Sequence, residues 1–344
     1  MTRADVADGA LVTGGTGTGV GSMPGTDPRE AAAVVNGELD LAHLVELPAR
    51  GIGADMVGRM AAILVDLPMD ADTWGYRLAA RGSGAARRAR DMLRVDLDAV
   101  EELWDRAGFV GTSRPFKIQV AGPFTLSASV ELPTGHKVLR DRGAVRDVVA
   151  STAEGIGELV ADVTRRLGAE VIVQIDEPMI GQVIDGTVPP LTRFDTIPAV
   201  PVAEVADALR GLVEQVGRPA LVHSCAPVRW DLIQRLRGVG WSLDLSTTTT
   251  EDLDGLGNLL DRGDLLVAGV VPAVAADRRV RAESVAQRLA GLIDRIGLDR
   301  KVLSQSVIVS PTCGLAGADP GWAKAALAVC AAAGELLGTD PDAL

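Results

Sequence analysis

Residues 170–178 read EVIVQIDEP and residues 220–225 read ALVHSC, and these two stretches decide the fold. Each contains a short run of apolar or β-branched residues and ends in side chains able to do chemistry. A helical pattern precedes each run, over Ala144–Leu167 and over Val202–Val216. Short apolar runs that alternate with helical patterns are typical of parallel strands covered by helices on both faces. The two stretches therefore indicate an α/β fold.

The same alternation extends along most of the chain. We expect eight strands, near Gly17–Ser22, His43–Leu47, Phe116–Val120, Glu170–Ile175, Ala220–His223, Trp241–Leu245, Leu265–Val270 and Ser306–Ser310. Further helical patterns lie at Asp27–Gly37, Pro227–Leu236, Glu251–Arg262, Ala282–Ile296 and Pro320–Leu337. Such alternation fits a closed barrel or a doubly wound sheet, and the count of eight strands favours a single (β/α)8 TIM barrel over residues 1–344.

Three stretches depart from this alternation. Residues 1–16 belong to a glycine-rich start without a G-x-G-x-x-G or P-loop pattern, and we interpret them as a flexible leader. Residues 48–114 are predicted to form a helical insertion after the second strand. Residues 181–201 contain four prolines and are predicted to be a long loop over the barrel mouth.

Charge and composition exclude several classes of function. The formal net charge is −12 and no basic stripe offsets it, which argues against nucleic acid as a partner. No positively charged segment stands at the N-terminus, so we expect no signal peptide. The longest apolar stretch, Leu265–Ala276, contains a proline and is too short to span a bilayer. We therefore expect a cytoplasmic protein whose three cysteines form no disulfide framework.

Histidine and cysteine stand where strands end, and the carboxyl ends of the strands hold the active site of a (β/α)8 barrel. His223 and Cys225 end the fifth predicted strand, and Cys313 follows the eighth. Imidazole and thiolate are typical zinc ligands, and side chains two residues apart on an extended segment share a side. Spacing alone leaves open a second interpretation, that of structural residues in the core. Cys330, within an apolar helical run, fits that second role.

Carboxylates end three further strands. Glu46 ends the second, Asp176 the fourth, and Asp244 lies on the sixth. Asp176 is a candidate partner for a cationic group such as a substrate amine, or alternatively a helix cap or a loop ion pair. Glu46 has the same two interpretations. Asp244 is a candidate metal ligand, or a carboxylate that orients His223 from behind.

Taken together, five motifs resemble the cobalamin-independent methionine synthase family. They are Gly21-Ser22, Gly122-Pro123-Phe124-Thr125, Gln174-Ile175-Asp176-Glu177-Pro178, His223-Ser224-Cys225 and Pro311-Thr312-Cys313-Gly314-Leu315. The resemblance is to the catalytic C-terminal barrel of those enzymes and covers about residue 17 to the end. It implies a zinc-dependent methyltransferase that converts homocysteine, or a related small thiol, to its methylated product.

The resemblance also implies roles for individual residues. The implied Zn2+ ligands are His223, Cys225, Cys313 and, as the nearest match to a further glutamate ligand of the family, Asp244. The implied binding residues for the amino-acid part of homocysteine are Gly21, Ser22, Glu46 and Asp176. Asp176 would act as the catalytic-site carboxylate that pairs with the substrate ammonium group.

The methyl-donor side departs from the family pattern. The family has a proton-donating histidine at the end of strand seven, where this chain has Gly269-Val270-Val271-Pro272, and the expected tryptophan is absent from Leu126–Pro133. The donor is therefore left open between methyltetrahydrofolate, a methyl-corrinoid protein and an epoxide-like electrophile. A non-catalytic zinc- or thiol-binding barrel is the main alternative. A uroporphyrinogen-type decarboxylase shares the barrel, but no basic cluster stands at the strand ends to hold its substrate.

Overall fold

Parallel strands form the centre of the molecule. The computed structural model describes residues 14–73, 75–192, 195–275 and 279–344. The strands in that part of the chain are β1 (Thr16–Gly17), β2 (Ala42–His43), β3 (Met69–Asp72), β4 (Gly75–Leu78), β5 (Pro115–Ala121), β6 (Glu170–Asp176), β7 (Ala220–Ser224), β8 (Gly240–Asp244), β9 (Leu266–Val271) and β10 (Val307–Pro311). Eight of them form one sheet in the order β1-β10-β9-β8-β7-β6-β5-β2, and β3 and β4 form a separate antiparallel hairpin.

The sheet closes into a barrel between β1 and β2. Each of these strands is only two residues long, but parallel bridges join Thr18 to Leu41 and Ser22 to Glu46 beyond them. All other pairings in the sheet are parallel as well. The prediction of a TIM-type (β/α)8 fold is confirmed, and all eight predicted strands contain a barrel strand or overlap one.

Helices cover the outside of the barrel. They are α1 (Pro28–Glu38), α2 (Met56–Ile63), α3 (Gly84–Ala107), α4 (Pro123–Ser129), α5 (Arg142–Leu167), α6 (Ile180–Asp185), α7 (Val202–Val216), α8 (Trp230–Arg235), α9 (Leu253–Asp261), α10 (Ala282–Ile296), α11 (Lys301–Ser306) and α12 (Pro320–Thr339). Local signals fix several ends: Asp319 accepts the Gly321 N–H at 2.9 Å ahead of Pro320, and α5 ends at Gly168 with a left-handed φ of 62°. None of the described helices is long and apolar enough to cross a membrane.

The segment between β2 and β5 departs from plain alternation. It contains a 3₁₀ turn at Pro48–Arg50, helices α2 and α3, and the β3–β4 hairpin, which the sequence pattern did not predict. The Arg50 guanidinium connects the turn to α3, because it donates hydrogen bonds to both carboxylate oxygens of buried Asp96, at 2.8 and 2.7 Å. The insertion therefore fixes the chain directly after β2, where the barrel mouth begins.

Two other predicted stretches have local structure of their own. Residues 1–13 of the predicted leader lie outside the described residues, whereas Gly14 and Gly15 already donate backbone hydrogen bonds to Gln305 and Val307 beside β10. The predicted loop at 181–201 begins inside α6, which ends at Gly186. The remainder, where described, is irregular.

Candidate active site

A small cavity of about 240 Å3 opens at the carboxyl end of the barrel. Seven of the eight predicted site residues line it, namely Gly21, Ser22, Glu46, Asp176, His223, Cys225 and Cys313. They come from five different strand ends, which meet because parallel strands in a closed barrel all finish on one face. The eighth predicted residue, Asp244, is not among the lining residues.

The two thiols and the imidazole line the same cavity. The neighbouring Cys225 thiol and His223 ring lower the pKa of Cys313 to about 4. The same interaction with Cys313, together with burial, raises the pKa of Cys225. Of the two thiols, Cys313 is therefore the more acidic. Cys225, Cys313 and Cys330 are all free cysteines, and Cys330 is buried in α12, away from this cavity.

Ser242 of β8 holds the His223 ring by a hydrogen bond at Nδ1. Its Oγ lies 2.9 Å from His223 Nδ1, so Nε2 is the ring nitrogen available to the cavity. This arrangement matches a general feature of metal-binding histidines, whose second nitrogen is fixed by a hydrogen bond. Among the described residues, no three His, Cys, Asp or Glu side chains are already arranged as a metal site. The case for a metal therefore depends on the chemistry of the donors.

Asp176 ends β6 directly beside His223 of β7. Its side chain is buried, and its Oδ1 accepts a hydrogen bond from Gln174 Nε2 at 2.7 Å. Burial raises the pKa of Asp176 to about 7, while nearby His223 favours the ionised form. A buried carboxylate of this kind, at the edge of a cavity, gains most from a cationic partner supplied by a ligand.

Glu177, the next residue, has a different environment. Its carboxylate accepts hydrogen bonds from the backbone N–H groups of Phe124 and Thr125, at 2.9 and 2.7 Å, and from Thr125 Oγ1 at 2.7 Å. Gly122 makes room for it, since a Cβ at that position would lie 2.3 Å from Glu177 Oε1. Glu177 therefore anchors the start of α4, and only Asp176 of the two carboxylates lines the cavity.

Glu46 is held by a buried cation. Arg59 Nη1 of α2 lies 2.6 Å from Glu46 Oε1, and the two side chains are only 4% and 7% exposed. The backbone of Glu46 pairs with the segment after β1, because its N–H donates to Gly21 and its carbonyl accepts from Met23. Glu46 therefore presents a charged, fixed wall to the cavity.

Ser22 and Gly21 form the adjoining wall. The Leu315 N–H donates to the Ser22 carbonyl at 2.8 Å, which ties the loop carrying Cys313 to the end of the first strand. A side chain at Gly314 would collide with Ser22 Oγ, at 2.1 Å from its Cβ. Glycine at this position thus allows Ser22 and Cys313 to lie on the same small cavity.

Asp244 lies at the end of β8, and its carboxylate bonds to its own chain. Its Oδ1 accepts the Ser246 N–H at 2.8 Å and so caps the short 3₁₀ turn at Leu245–Thr247. Burial lowers the pKa of Arg288 in α10, and the negative charge of Asp244 opposes that shift. The structure thus brings the other implied zinc ligands together and leaves Asp244 outside the cavity wall. A role for it in metal binding would require its side chain to leave this cap.

Several residues around the cavity were not predicted from the sequence. Gln174 and Lys117 lie in the barrel interior below Asp176, Arg59 supports Glu46, and Ser242 holds His223. For Lys117 a signal exists in the pattern FKIQV, where a cation interrupts a strand that is otherwise buried. For Arg59 there is none, because its partner is known only once the insertion is folded.

A larger cavity of about 670 Å3 lies elsewhere, between α5 and α7. Its walls are mainly apolar, with Phe124, Val145 and Leu212 among them, and contain no cysteine or histidine. Size therefore does not identify the reactive site in this barrel. The smaller cavity, which combines thiols, imidazole and two carboxylates, is the candidate active site.

Known proteins show the same fold. The structure of a B12-independent methionine synthase from Shewanella sp. W3-18-1 in complex with selenomethionine has a TM-score of 0.58 at 14% identity, and the match covers 97% of this chain and 100% of that chain. A methyltransferase from Methanosarcina mazei has a TM-score of 0.53 at 15% identity, covering 96% and 94%. A search of curated protein sequences gave no significant match. The family model described as "Cobalamin-independent synthase, Catalytic domain" matches residues 15–335, which confirms the resemblance carried by the motifs: the chain belongs to this family.

Proposed function

We propose that this protein is a zinc-dependent methyltransferase that methylates the thiol of homocysteine or of a closely related small thiol. One observation carries the proposal. Cys225, Cys313 and His223 line a single small cavity together with Glu46 and Asp176. Soft metal ligands and carboxylates that can bind an ammonium group are thus combined at a single barrel mouth.

The donor set fits Zn2+. His223, Cys225 and Cys313 would hold the ion, and this combination of two thiolates and one imidazole leaves a position for a substrate atom, as in catalytic zinc sites. When bound, the metal would supply acidification of a substrate thiol, so that the thiolate is present at neutral pH. The position of the three side chains supports this assignment, because they come from two strand ends and line the same cavity.

The carboxylates would orient the substrate. Asp176 and Glu46 line the cavity that contains the thiols, and a ligand ammonium group there would form a buried charge-assisted hydrogen bond with Asp176. Ser22 and Gly21 complete the wall on the same side. These contacts would fix the amino-acid part and leave its sulfur directed at the ligand side chains. Positioning of this kind supplies a large share of the acceleration of a bimolecular displacement.

In the reaction, the substrate sulfur forms a bond to the methyl carbon while the bond from that carbon to the donor breaks. The electron pair of the broken bond leaves with the donor. Methyltetrahydrofolate and a methyl-corrinoid protein are both suitable donors for this displacement. No residue of β9 lines the described cavity, so the proposal assigns no protein group to the leaving donor.

Zinc content tests the proposal first. Protein purified under reducing, chelator-free conditions should contain about one zinc per chain. Cys225→Ser and Cys313→Ser should lose the metal and any thiol methylation together, because zinc bound by two remaining ligands is weak. Cys330→Ser is the matched control, since Cys330 is buried in α12 away from the cavity, and it should retain zinc.

Two results would contradict the assignment. Full zinc in either Cys225→Ser or Cys313→Ser would exclude these thiols as ligands. Zinc binding without methylation of homocysteine by any donor would instead leave a non-catalytic thiol-binding barrel. A donor screen with methyltetrahydrofolate and methylcobalamin, with methionine measured by mass spectrometry, separates these outcomes.

A further inference from the structure

Lys117 is a buried cation beneath the candidate active site, and the proposed mechanism does not use it. Its side chain is 0% exposed and projects from the middle of β5. Its Nζ donates to the Val20 carbonyl at 2.9 Å and to Gln174 Oε1 at 2.6 Å. Val20 itself lines the cavity, so the ammonium lies directly under the cavity floor. Burial of an ammonium group is costly, and here both of its bonded partners are uncharged.

Gln174 connects this cation to Asp176. Its Nε2 donates to Asp176 Oδ1 at 2.7 Å and to the Val20 carbonyl at 2.9 Å, while its Oε1 accepts from Lys117. An amide has two orientations, but an ammonium group has only donors. Lys117 therefore fixes the oxygen of Gln174 towards itself and the N–H group towards Asp176. In the opposite orientation, the amide oxygen would face a carboxylate.

The charges around the floor are consistent with this connection. Burial lowers the pKa of Lys117 to about 8, and the carboxylates of Asp176 and Glu46 oppose that shift. The lysine is therefore mainly protonated at neutral pH and able to hold the amide. Its field also favours the ionised form of Asp176.

We propose that Lys117 is a positioning residue that, through Gln174, directs Asp176 towards the amino group of the substrate. The site would thereby select thiols that carry an α-amino group over thiols that lack one. This inference rests on the proposed function, because it takes an amino-acid thiol as the ligand. It concerns selection between ligands, however, and can be measured without a methyl donor.

The test compares two thiols on zinc-loaded protein by calorimetry. Homocysteine and 4-mercaptobutyrate share the thiol and the carboxylate, and only homocysteine has the amino group. The wild-type protein should bind homocysteine more tightly. In Lys117→Met this preference should fall about tenfold or more, the usual effect of losing one hydrogen-bonded contact to a charged group. A purely structural defect would weaken both ligands alike and leave the ratio of their Kd values unchanged.

A second variant makes the test independent of how well the first one folds. Gln174→Leu removes the same connection and should reduce the ratio to the same extent. The double variant should be no worse than the more affected single one, since both substitutions break one chain of contacts. Lys324→Met is the matched control for loss of a lysine, because Lys324 is 62% exposed on α12, and its ratio should equal that of the wild type.

The outcomes separate this inference from the proposed function. An unchanged ratio in folded Lys117→Met or Gln174→Leu, or a wild-type protein that does not distinguish the two thiols, would overturn the positioning role. Thiol methylation by the wild type would survive either result. Conversely, a preference for homocysteine that falls in Lys117→Met and Gln174→Leu, without methylation by any donor, would support Lys117 and refute the methyltransferase.

Discussion

Replacing Arg59 by methionine should lower the free energy of unfolding by about 3–5 kcal/mol, the cost of breaking a buried ion pair by removing one partner. The pair is short and buried, and none of the Arg59 guanidinium nitrogens has a well-directed hydrogen bond, so the charge of Glu46 is the main partner that Arg59 has. Arg59 Nη1 and Glu46 Oε1 are 2.6 Å apart, and water reaches only 4% and 7% of the two side chains. Without Arg59, the Glu46 carboxylate would remain in the barrel mouth without a direct ion-pair partner.

The effect is large enough to measure by urea unfolding followed by circular dichroism. With an m value of about 3 kcal/mol/M or more for a chain of this size, the midpoint should fall by roughly 1 M. The double variant Arg59→Met/Glu46→Gln should recover much of the loss, because no unpaired charge remains. Arg142→Met is the control, since the Arg142–Glu204 pair is 3.6 Å apart and both side chains are mostly exposed. Its effect should stay within about 1 kcal/mol.

The reasoning would be refuted if Arg59→Met and Arg142→Met had equal effects on the midpoint. Glu46 would then be adequately solvated on its own, and the description of a fixed, charged wall would be wrong. A double variant as unstable as Arg59→Met would also count against it, because the loss would then come from packing of the long arginine side chain rather than from an unpaired carboxylate.

Two further substitutions test neighbouring parts of the site. Asp176→Asn should raise the Kd for homocysteine about tenfold or more, as measured by calorimetry. The Kd for 4-mercaptobutyrate and the zinc content, measured by elemental analysis, should stay unchanged. Equal weakening of the binding of both thiols would contradict a contact between Asp176 and the amino group. Gly122→Ala should destabilise the fold by about 1–3 kcal/mol in urea titration, because its Cβ would meet the Glu177 carboxylate at 2.3 Å. The matched change Gly157→Ala in α5, where nothing lies within 4 Å, should stabilise by up to about 1 kcal/mol, and a loss there would show that the contact is not decisive.

The barrel was predictable because its strands are buried on both faces. β9 is buried at all six positions and its sequence, LVAGVV, is an uninterrupted apolar run, while β6 is buried at six of seven positions and contains the apolar run Val171–Val173. The β3–β4 hairpin gave no such signal. Its first strand, MDAD, alternates apolar and acidic residues weakly, and tertiary contacts stabilise it: Ser83 Oγ donates to the Met69 carbonyl at 2.9 Å, and the Leu78 N–H donates to Glu131 at 2.7 Å.

The site was predictable to the extent that strand ends converge. That rule brought Cys313 to His223 and Cys225 across a separation of about 90 residues. It does not say whether a carboxylate at a strand end faces the cavity or its own backbone. Asp244 is followed two residues later by Ser246, whose N–H it caps, and aspartate readily forms such local turns. A carboxylate that faces the cavity and one that caps its own backbone therefore have the same sequence pattern, an acidic residue at the end of a strand.

Pairing of charges explains why this barrel tolerates so many polar groups beneath its mouth. Barrel interiors are usually filled by branched apolar side chains, yet here Lys117, Gln174 and Gln119 are all buried. Each of the two cavity carboxylates is matched by a buried cation. Glu46 forms an ion pair with Arg59 at 2.6 Å, and Asp176 is connected to Lys117 by the hydrogen bonds of Gln174. The floor is thus close to neutral before a substrate arrives. A substrate ammonium group would add one positive charge at Asp176, the carboxylate without a direct cationic partner, and this makes Asp176 rather than Glu46 the position that recognises it.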